Sequence, residues 1–333
     1  MWYKSNLKYS IIKLGDRMQK KIAVLGGGTG LSFLLRGLKE YPVGISAIVA
    51  VSDDGKSTGR LREEFKMPAV GDIRRVLIAL SETEPLFEEL FNYRFKTTSD
   101  LNGHTVGNLL LTAMANITGN MSDGIESLSK VLNLRGKVLP LTEDNVTLIG
   151  KMEDDSIVEG EHNITMANKA ISSVFYKDEP VVNPEAINAI READLILLSM
   201  GSVFTSIVPT LLCKELIDEI DKSKAPIMYI CNLMTQPGET DNCNVSHHVK
   251  ILNSYLGKRK IDILIANNGT IDEELIKKYE TLEQKDQALY DSKNLKDLKL
   301  KAIVDDFVVI EDEMIRHDRV KLSFYIYSTL IRG

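Results

Sequence analysis

Cysteine is scarce in this 333-residue chain. Cys213, Cys231 and Cys243 are too few and too scattered to staple a small fold or to make a spaced metal site. A reducing, cytoplasmic compartment is the expectation. A basic excess is also missing: the formal net charge of −6 argues against a nucleic-acid-binding surface over the whole molecule and leaves room only for a local basic pocket. The N-terminal region lacks any long apolar run. Residues 1–20 are basic and carry Trp2, Tyr3 and Tyr9, but Ile11-Ile12 is their longest aliphatic stretch, so no secretory segment or membrane span can be built from them. They are expected to form a disordered arm, with residues 21–333 making one α/β domain.

Two nucleotide signatures fail as well. The G-x-G-x-x-G fingerprint is not met, because Gly26, Gly28 and Gly30 stand two apart and Leu31 follows, which disfavours a plain NAD dehydrogenase. A Walker A loop ending at Gly55-Lys56-Ser57 needs glycine at position 50, where the chain has Ala50.

What is present is strand, tight turn, helix. Ile22 to Leu25 lack the alternation of a half-exposed strand, so both faces should be covered, as in a parallel sheet flanked by helices. After Gly26-Gly27-Gly28-Thr29-Gly30, the residues Leu31, Leu34, Leu35 and Leu38 mark one helix face. Glycines at such a junction let backbone N–H groups close on an anion at the positive end of the helix, or serve only close packing. Thr29 stands where an N-cap hydroxyl belongs, able to hold an orphan N–H or a ligand oxygen.

A second buried-looking strand, Ile45 to Val51, completes a βαβ unit, whose ligands bind at the carboxyl ends of the strands. It ends in Ser52-Asp53-Asp54-Gly55, where an acid can take ribose hydroxyls or hold Mg²⁺ against phosphates, or can merely cap a helix. Gly71-Asp72-Ile73-Arg74-Arg75 follows, so Arg60, Arg62, Arg74 and Arg75 flank the acids Asp53, Asp54 and Asp72. Residues 76–133 read as mostly helical, with a buried stripe at Leu86, Phe87, Leu90 and Phe91, broken by a turn in which His104 and Asn108 share a face. Residues 138–164 alternate as an inserted antiparallel hairpin. The strand at Ala193 to Ser199 runs into Met200-Gly201-Ser202 and a helix reaching Lys222, a second candidate cradle that should face the first if the two strands are neighbours. A further polar loop opens at Asn232, and the charged loop Arg316-His317-Asp318 follows a strand at Ala302 to Ile310.

Gly26 to Gly30, Ser52-Asp53-Asp54-Gly55 through Arg62, Gly71-Asp72-Ile73-Arg74, Gly103-His104 with Gly107-Asn108, Met234 to Thr240 and Arg316-His317-Asp318 together resemble the YvcK-type gluconeogenesis factors of the CofD-like superfamily. The resemblance implies a Rossmann-like three-layer α/β sandwich with a mainly parallel sheet. It also implies a cytoplasmic regulator that binds UDP-N-acetylglucosamine or a similar nucleotide-sugar, and that is needed for cell shape and wall synthesis on gluconeogenic carbon sources. Protein partners in envelope regulation and self-association fit the same picture.

By position, Thr29 matches a threonine of the family's ligand site and Arg316 an arginine suited to a diphosphate. The ligand set expected from residues and resemblance together is Gly27, Gly28, Thr29, Gly30, Asp53, Asp54, Ser202, Thr210, Asn232 and Arg316. Thr210 stands where members carry asparagine, and Ser199-Met200-Gly201-Ser202 where they carry Gly-Pro-Gly-Ser. The rival reading is a CofD-like transferase in which Asp53, Asp54 or Asp72 holds Mg²⁺ for phosphoryl-group chemistry; an NAD(P)-binding scaffold is a third.

Overall fold

The computed structural model describes residues 19–332, so the arm expected over residues 1–20 lies, except for its last two residues, outside the described residues. The apolar run Ile22 to Leu25 forms the middle of β1 (Lys21–Gly26) and is shielded on both faces. The chain continues through α1 (Gly28–Leu38), β2 (Gly44–Val49), α2 (Lys56–Phe65), α3 (Gly71–Leu80), α4 (Pro85–Asn92), α5 (Val106–Thr118) and α6 (Met121–Val131) to β3 (Lys137–Pro140). It then leaves the main sheet for β4 (Leu148–Met152), β5 (Ile157–Glu159), α7 (Glu161–Ala167) and β6 (Ile171–Tyr176). After α8 (Pro184–Glu192) it returns through β7 (Leu195–Leu198), α9 (Lys214–Lys222), β8 (Ile227–Ile230), α10 (Val245–Tyr255) and β9 (Ile263–Asn267). The last part comprises α11 (Glu273–Glu283), α12 (Ser292–Lys296), β10 (Lys301–Asp305), a hairpin of β11 (Val308–Glu311) and β12 (Met314–His317), and α13 (Arg319–Arg332).

The seven strands of the main sheet are all parallel, in the order β10-β9-β8-β7-β1-β2-β3. Val24 lies beside Ala47 on one side and Leu197 on the other. This is the expected Rossmann-like α/β architecture. Among the described residues, no helix is long and apolar enough to cross a membrane.

Three expectations need correction. The insertion is a three-stranded antiparallel sheet, β5-β4-β6, spanning 148–176 instead of 138–164. Val138 and Leu139 belong to β3, where pairing with Ala47 and Ile48 buries them; their local pattern does not distinguish an outer parallel strand from a hairpin. In α4 only Phe91 is buried, while Leu86 and Leu90 are exposed, because this eight-residue helix turns one position inward, onto Gly107. Finally, Ala302 to Ile310 is two strands: β10 closes the sheet edge, and β11 turns away to pair with β12.

Candidate functional site

β1 and β7 are hydrogen-bonded neighbours, yet the chain proceeds from β1 toward one edge of the sheet and from β7 toward the other. Such a reversal opens a crevice at the carboxyl ends of the strands. Here it is a cleft of about 640 Å³. Gly27 to Gly30 and Arg75 form one wall, Met200 to Ser202 with Ser206 the other, Asn232 to Gln236 the floor, and Met314 to His317 an overhang beside Tyr279 and Lys285.

The first wall begins where β1 stops. Gly27, extended at φ −158°, is the N-cap of α1, and no side chain caps that end. Thr29 is therefore not the N-cap expected of it. The helix starts at Gly28, which places the threonine in the first turn with its side chain exposed on the cleft. Gly28 takes φ +67°, a conformation costly for other residues, and a Cβ there would meet nothing closer than Ser206 Oγ at 3.4 Å. Gly30 is glycine for a different reason: a Cβ would press on the Met200 carbonyl, so that residue lets α1 and the loop after β7 touch.

The Gly28 N–H was expected to be available to a ligand. Instead it donates to Asp72 Oδ2 at 2.5 Å, while Asp72 Oδ1 accepts from Arg75 at 2.7 Å. Burial pushes the Asp72 carboxyl up, and Asp53 adds to this, against the pull of Arg75 and the Gly28 amide. Helix geometry leaves the next first-turn amides, those of Thr29 and Gly30, without intrahelical acceptors, and both residues line the cleft.

The second wall is braced from below. Asn232 accepts from the Gly201 N–H at 3.0 Å and donates to the Gly201 carbonyl at 2.6 Å, pinning the turn after β7. Ser202 Oγ donates to Gln236 Oε1 at 2.5 Å. Beneath them the buried Glu239 accepts from the Phe204 N–H and the Thr205 hydroxyl, both at 2.9 Å, and from Gln236 at 3.1 Å. Thr210 does not reach this site. It is fully buried in the 3-10 turn Val208–Leu211 and donates to the Ile207 carbonyl at 2.7 Å, because the π-helical turn Val203–Ile207 carries the chain below the rim before position 210.

Asp53 and Asp54 do not line the cleft either. Asp53 accepts from the Gly55 N–H at 2.9 Å, whereas Asp54 accepts from the His162 N–H at 2.7 Å, at the start of α7. The two carboxylates thus serve different elements, Asp53 its own turn and Asp54 the start of α7. Among the described residues no group of three or more His, Cys, Asp or Glu side chains is placed to hold a metal ion. Glu161 sits close to these acids, and burial together with Asp53, Asp72 and Asp54 holds its carboxyl well above the usual range.

Arg316 does return to the cleft. α13 lies against α1, where Gly37 lets Arg319 and Ser323 approach, and Arg319 stacks over Phe33 at 5.5 Å. That contact hangs the end of β12 over the first turn of α1. The half-buried Arg316 makes a loose ion pair, 3.8 Å to Glu311, and donates weakly to Met314 Sδ at 3.7 Å. Beside it, His317 Nε2 lies 3.1 Å from the Cys231 carbonyl; burial pushes the imidazole down to about 4, so it is neutral and donates there.

Arg75 was missing from the expected ligand set although its sequence signal was visible. Adjacent arginines on a helix point about 100° apart, so only one of Arg74 and Arg75 can face the cleft. Arg74 is buried and bonds Asn92; Arg75 lines the cavity. Tyr279 and Lys285 had no such local signal. His104 and Asn108 share a face as expected, but they meet buried Ser57, at 3.0 and 3.5 Å, away from the cleft lining.

A switch-point crevice whose glycine-lined helix end faces two arginines defines a doubly wound α/β protein with a polar cleft at the carboxyl ends of its strands. The chain belongs to the CofD family: the family model described as 2-phospho-L-lactate transferase CofD matches residues 22–308. It is similar to the gluconeogenesis factor of Bacillus subtilis (strain 168), 48% identical over 311 residues that cover 93% of this chain and 98% of that protein. The gluconeogenesis factor of Halalkalibacterium halodurans is 46% identical over 307 residues, covering 92% and 95% respectively. A crystal structure of a protein from Bacillus halodurans matches with a TM-score of 0.89 at 45% identity, covering 93% of this chain and 99% of that one.

Proposed function

We propose that the cleft binds a nucleotide-sugar of the UDP-N-acetylglucosamine type, and that the chain is a cytoplasmic regulator coupling precursor supply to wall synthesis and cell shape during gluconeogenic growth. The observation that carries the reading is the return of Arg316, from the far end of the chain, to the glycine turn after β1. Arg316 and Arg75 give the diphosphate two forked cations, and the hydroxyls of Thr29 and Ser202 border the same space. Met234, Met314 and Ile315 provide an apolar end for a base or sugar ring, and the volume lies in the range of small-ligand pockets. The names of the relatives, gluconeogenesis factors, support the part of the reading that concerns gluconeogenic growth.

Calorimetric titration with UDP-N-acetylglucosamine tests it. Saturable heat is expected, and it should vanish in a Thr29→Ala, Arg316→Glu double variant; no heat or thermal shift at millimolar ligand refutes the reading. The family description supports a second reading, transfer of a phosphoryl-bearing group. It is distinguished by a nucleoside product appearing on incubation with Mg²⁺ and an acceptor alcohol. NADP as a competitor for the same site separates the NAD(P) reading from both.

A further inference from the structure

Asp72 occupies an unusual position for a cleft whose other charged neighbours invite an anion. A helix N-terminus attracts negative charge, and here the protein supplies that charge itself. One carboxylate oxygen sits 2.5 Å from the Gly28 nitrogen, and the other 2.7 Å from Arg75. The fit is close enough that a Cβ added at Gly27 would lie 2.6 Å from Asp72 Oδ2. Asp72 is buried and its side chain is only 12% accessible, whereas that of Arg75 is 40% accessible and lines the cavity. The charged groups around Asp72 are Arg74 and Arg75 on its own helix, Asp53 from the loop after β2, and Glu161 from α7.

We propose that Asp72 is a built-in anion guarding the head of the cleft, a specificity element that excludes inorganic phosphate and pyrophosphate by occupying the Gly28 N–H and holding Arg75. The inference rests on the reading that the cleft takes a phosphate-bearing ligand. Phosphate placed at the first turn of α1 meets a buried carboxylate of like charge and finds one of its natural donors taken. A free inorganic anion has nothing else to offer against that. A ligand carrying a sugar and a base touches the second wall and the apolar end as well, and these contacts let it draw Arg75 away from Asp72 and tolerate the repulsion. The cleft therefore discriminates by the organic part of the ligand although its charge pattern addresses the phosphates.

The test uses the full chain without divalent metal and two probes, inorganic pyrophosphate and UDP-N-acetylglucosamine, titrated calorimetrically into wild type and Asp72→Asn. The asparagine keeps the shape and an acceptor oxygen for Gly28 but removes the charge and releases Arg75. Wild type should show no saturable pyrophosphate binding at millimolar concentration, and Asp72→Asn should gain at least about tenfold in pyrophosphate affinity. Equal pyrophosphate binding in both proteins, or weaker binding in the variant, overturns the proposal. If circular dichroism shows Asp72→Asn unfolded, Asp72→Ser is read in its place, and tight pyrophosphate binding by wild type overturns the guard without any variant. A gain for pyrophosphate with no response to UDP-N-acetylglucosamine leaves the guard standing and removes the proposed ligand. Binding of UDP-N-acetylglucosamine by wild type with no gain for pyrophosphate in the variant does the reverse.

Discussion

Replacing Gly30 by alanine should damage stability and ligand binding together, through one steric contact. A Cβ at this position would lie 2.7 Å from the Met200 carbonyl carbon and 3.2 Å from the Gly201 nitrogen, where ordinary contact begins at 3.4 Å. These are backbone atoms, and Asn232 holds Gly201 through two hydrogen bonds, so no side-chain rotation can absorb the methyl group. α1 and the turn after β7 must separate by roughly an ångström in a densely packed interior. Alanine returns up to about 1 kcal/mol through helix propensity, and overpacking against fixed backbone costs about 1–3 kcal/mol or more, so the clash wins. We expect a net loss of about 2 kcal/mol in urea denaturation followed by circular dichroism. Calorimetry with UDP-N-acetylglucosamine should show an affinity about tenfold or more weaker, because the same displacement takes first-turn donors out of hydrogen-bond range of a ligand gripped by the opposite wall. Gly44→Ala is the control. Its added Cβ meets nothing closer than Lys21 Cγ at 3.5 Å, so a change within about 0.5 kcal/mol is expected. If Gly30→Ala matched Gly44→Ala in both measurements, the contact between α1 and the Met200 turn would not be what sets the cleft.

Arg62→Met should cost about 3 kcal/mol in the same denaturation assay, because the buried guanidinium donates to the Ser52, Asp53 and Val146 carbonyls and to Asn145, and its loss strands these acceptors; a cost under about 1 kcal/mol counts against this account. Arg316→Gln, which removes the charge but little volume, should weaken UDP-N-acetylglucosamine binding by about tenfold without moving the melting temperature, and unchanged affinity would remove Arg316 from the site. Burial pushes the Glu239 carboxyl up to about 7 from 4.5, against the pull of Thr205 and the Phe204 amide. The folded state therefore holds this proton more tightly than the unfolded one, so the residue's contribution is fullest below pH 4.5 and is lost as pH rises through 7. Glu239→Gln should flatten the stability profile between pH 5 and 7, by roughly 3 kcal/mol at most, and an unaltered slope refutes the shift. His248 works in the opposite sense: buried and held neutral, it is pushed down to about 4 from 6.5, so its contribution is full above pH 6.5 and lost as pH falls through 4. His248→Gln should therefore flatten the acid limb, measured by the same denaturation series.

Much of the architecture was legible because it is written in local patterns. Ile22 to Leu25 and Leu195 to Leu198 carry no alternation, and strands of that kind must be covered on both faces, which leads to a parallel sheet and a crevice at its carboxyl ends. The errors arose where a short segment fits two environments. Val138 and Leu139 satisfy an outer parallel strand as well as a hairpin, and Leu86 and Leu90 satisfy a buried stripe by spacing while lying on an exposed face.

By itself, then, the order of apolar runs, glycines and acids determined the doubly covered strands and the glycine turn between β1 and α1, since each depends on forces acting within a few residues of chain. Only the tertiary structure decided which polar groups meet at the cleft. Asp72 reached the Gly28 amide because α3 packs on α1, Arg316 reached the cleft because Gly37 admits α13, and Thr210 was lost to the interior because a π-helical turn precedes it. Hydrogen bonds and charges act over a few ångströms, and which groups come within that distance is set by the packing of elements far apart in sequence.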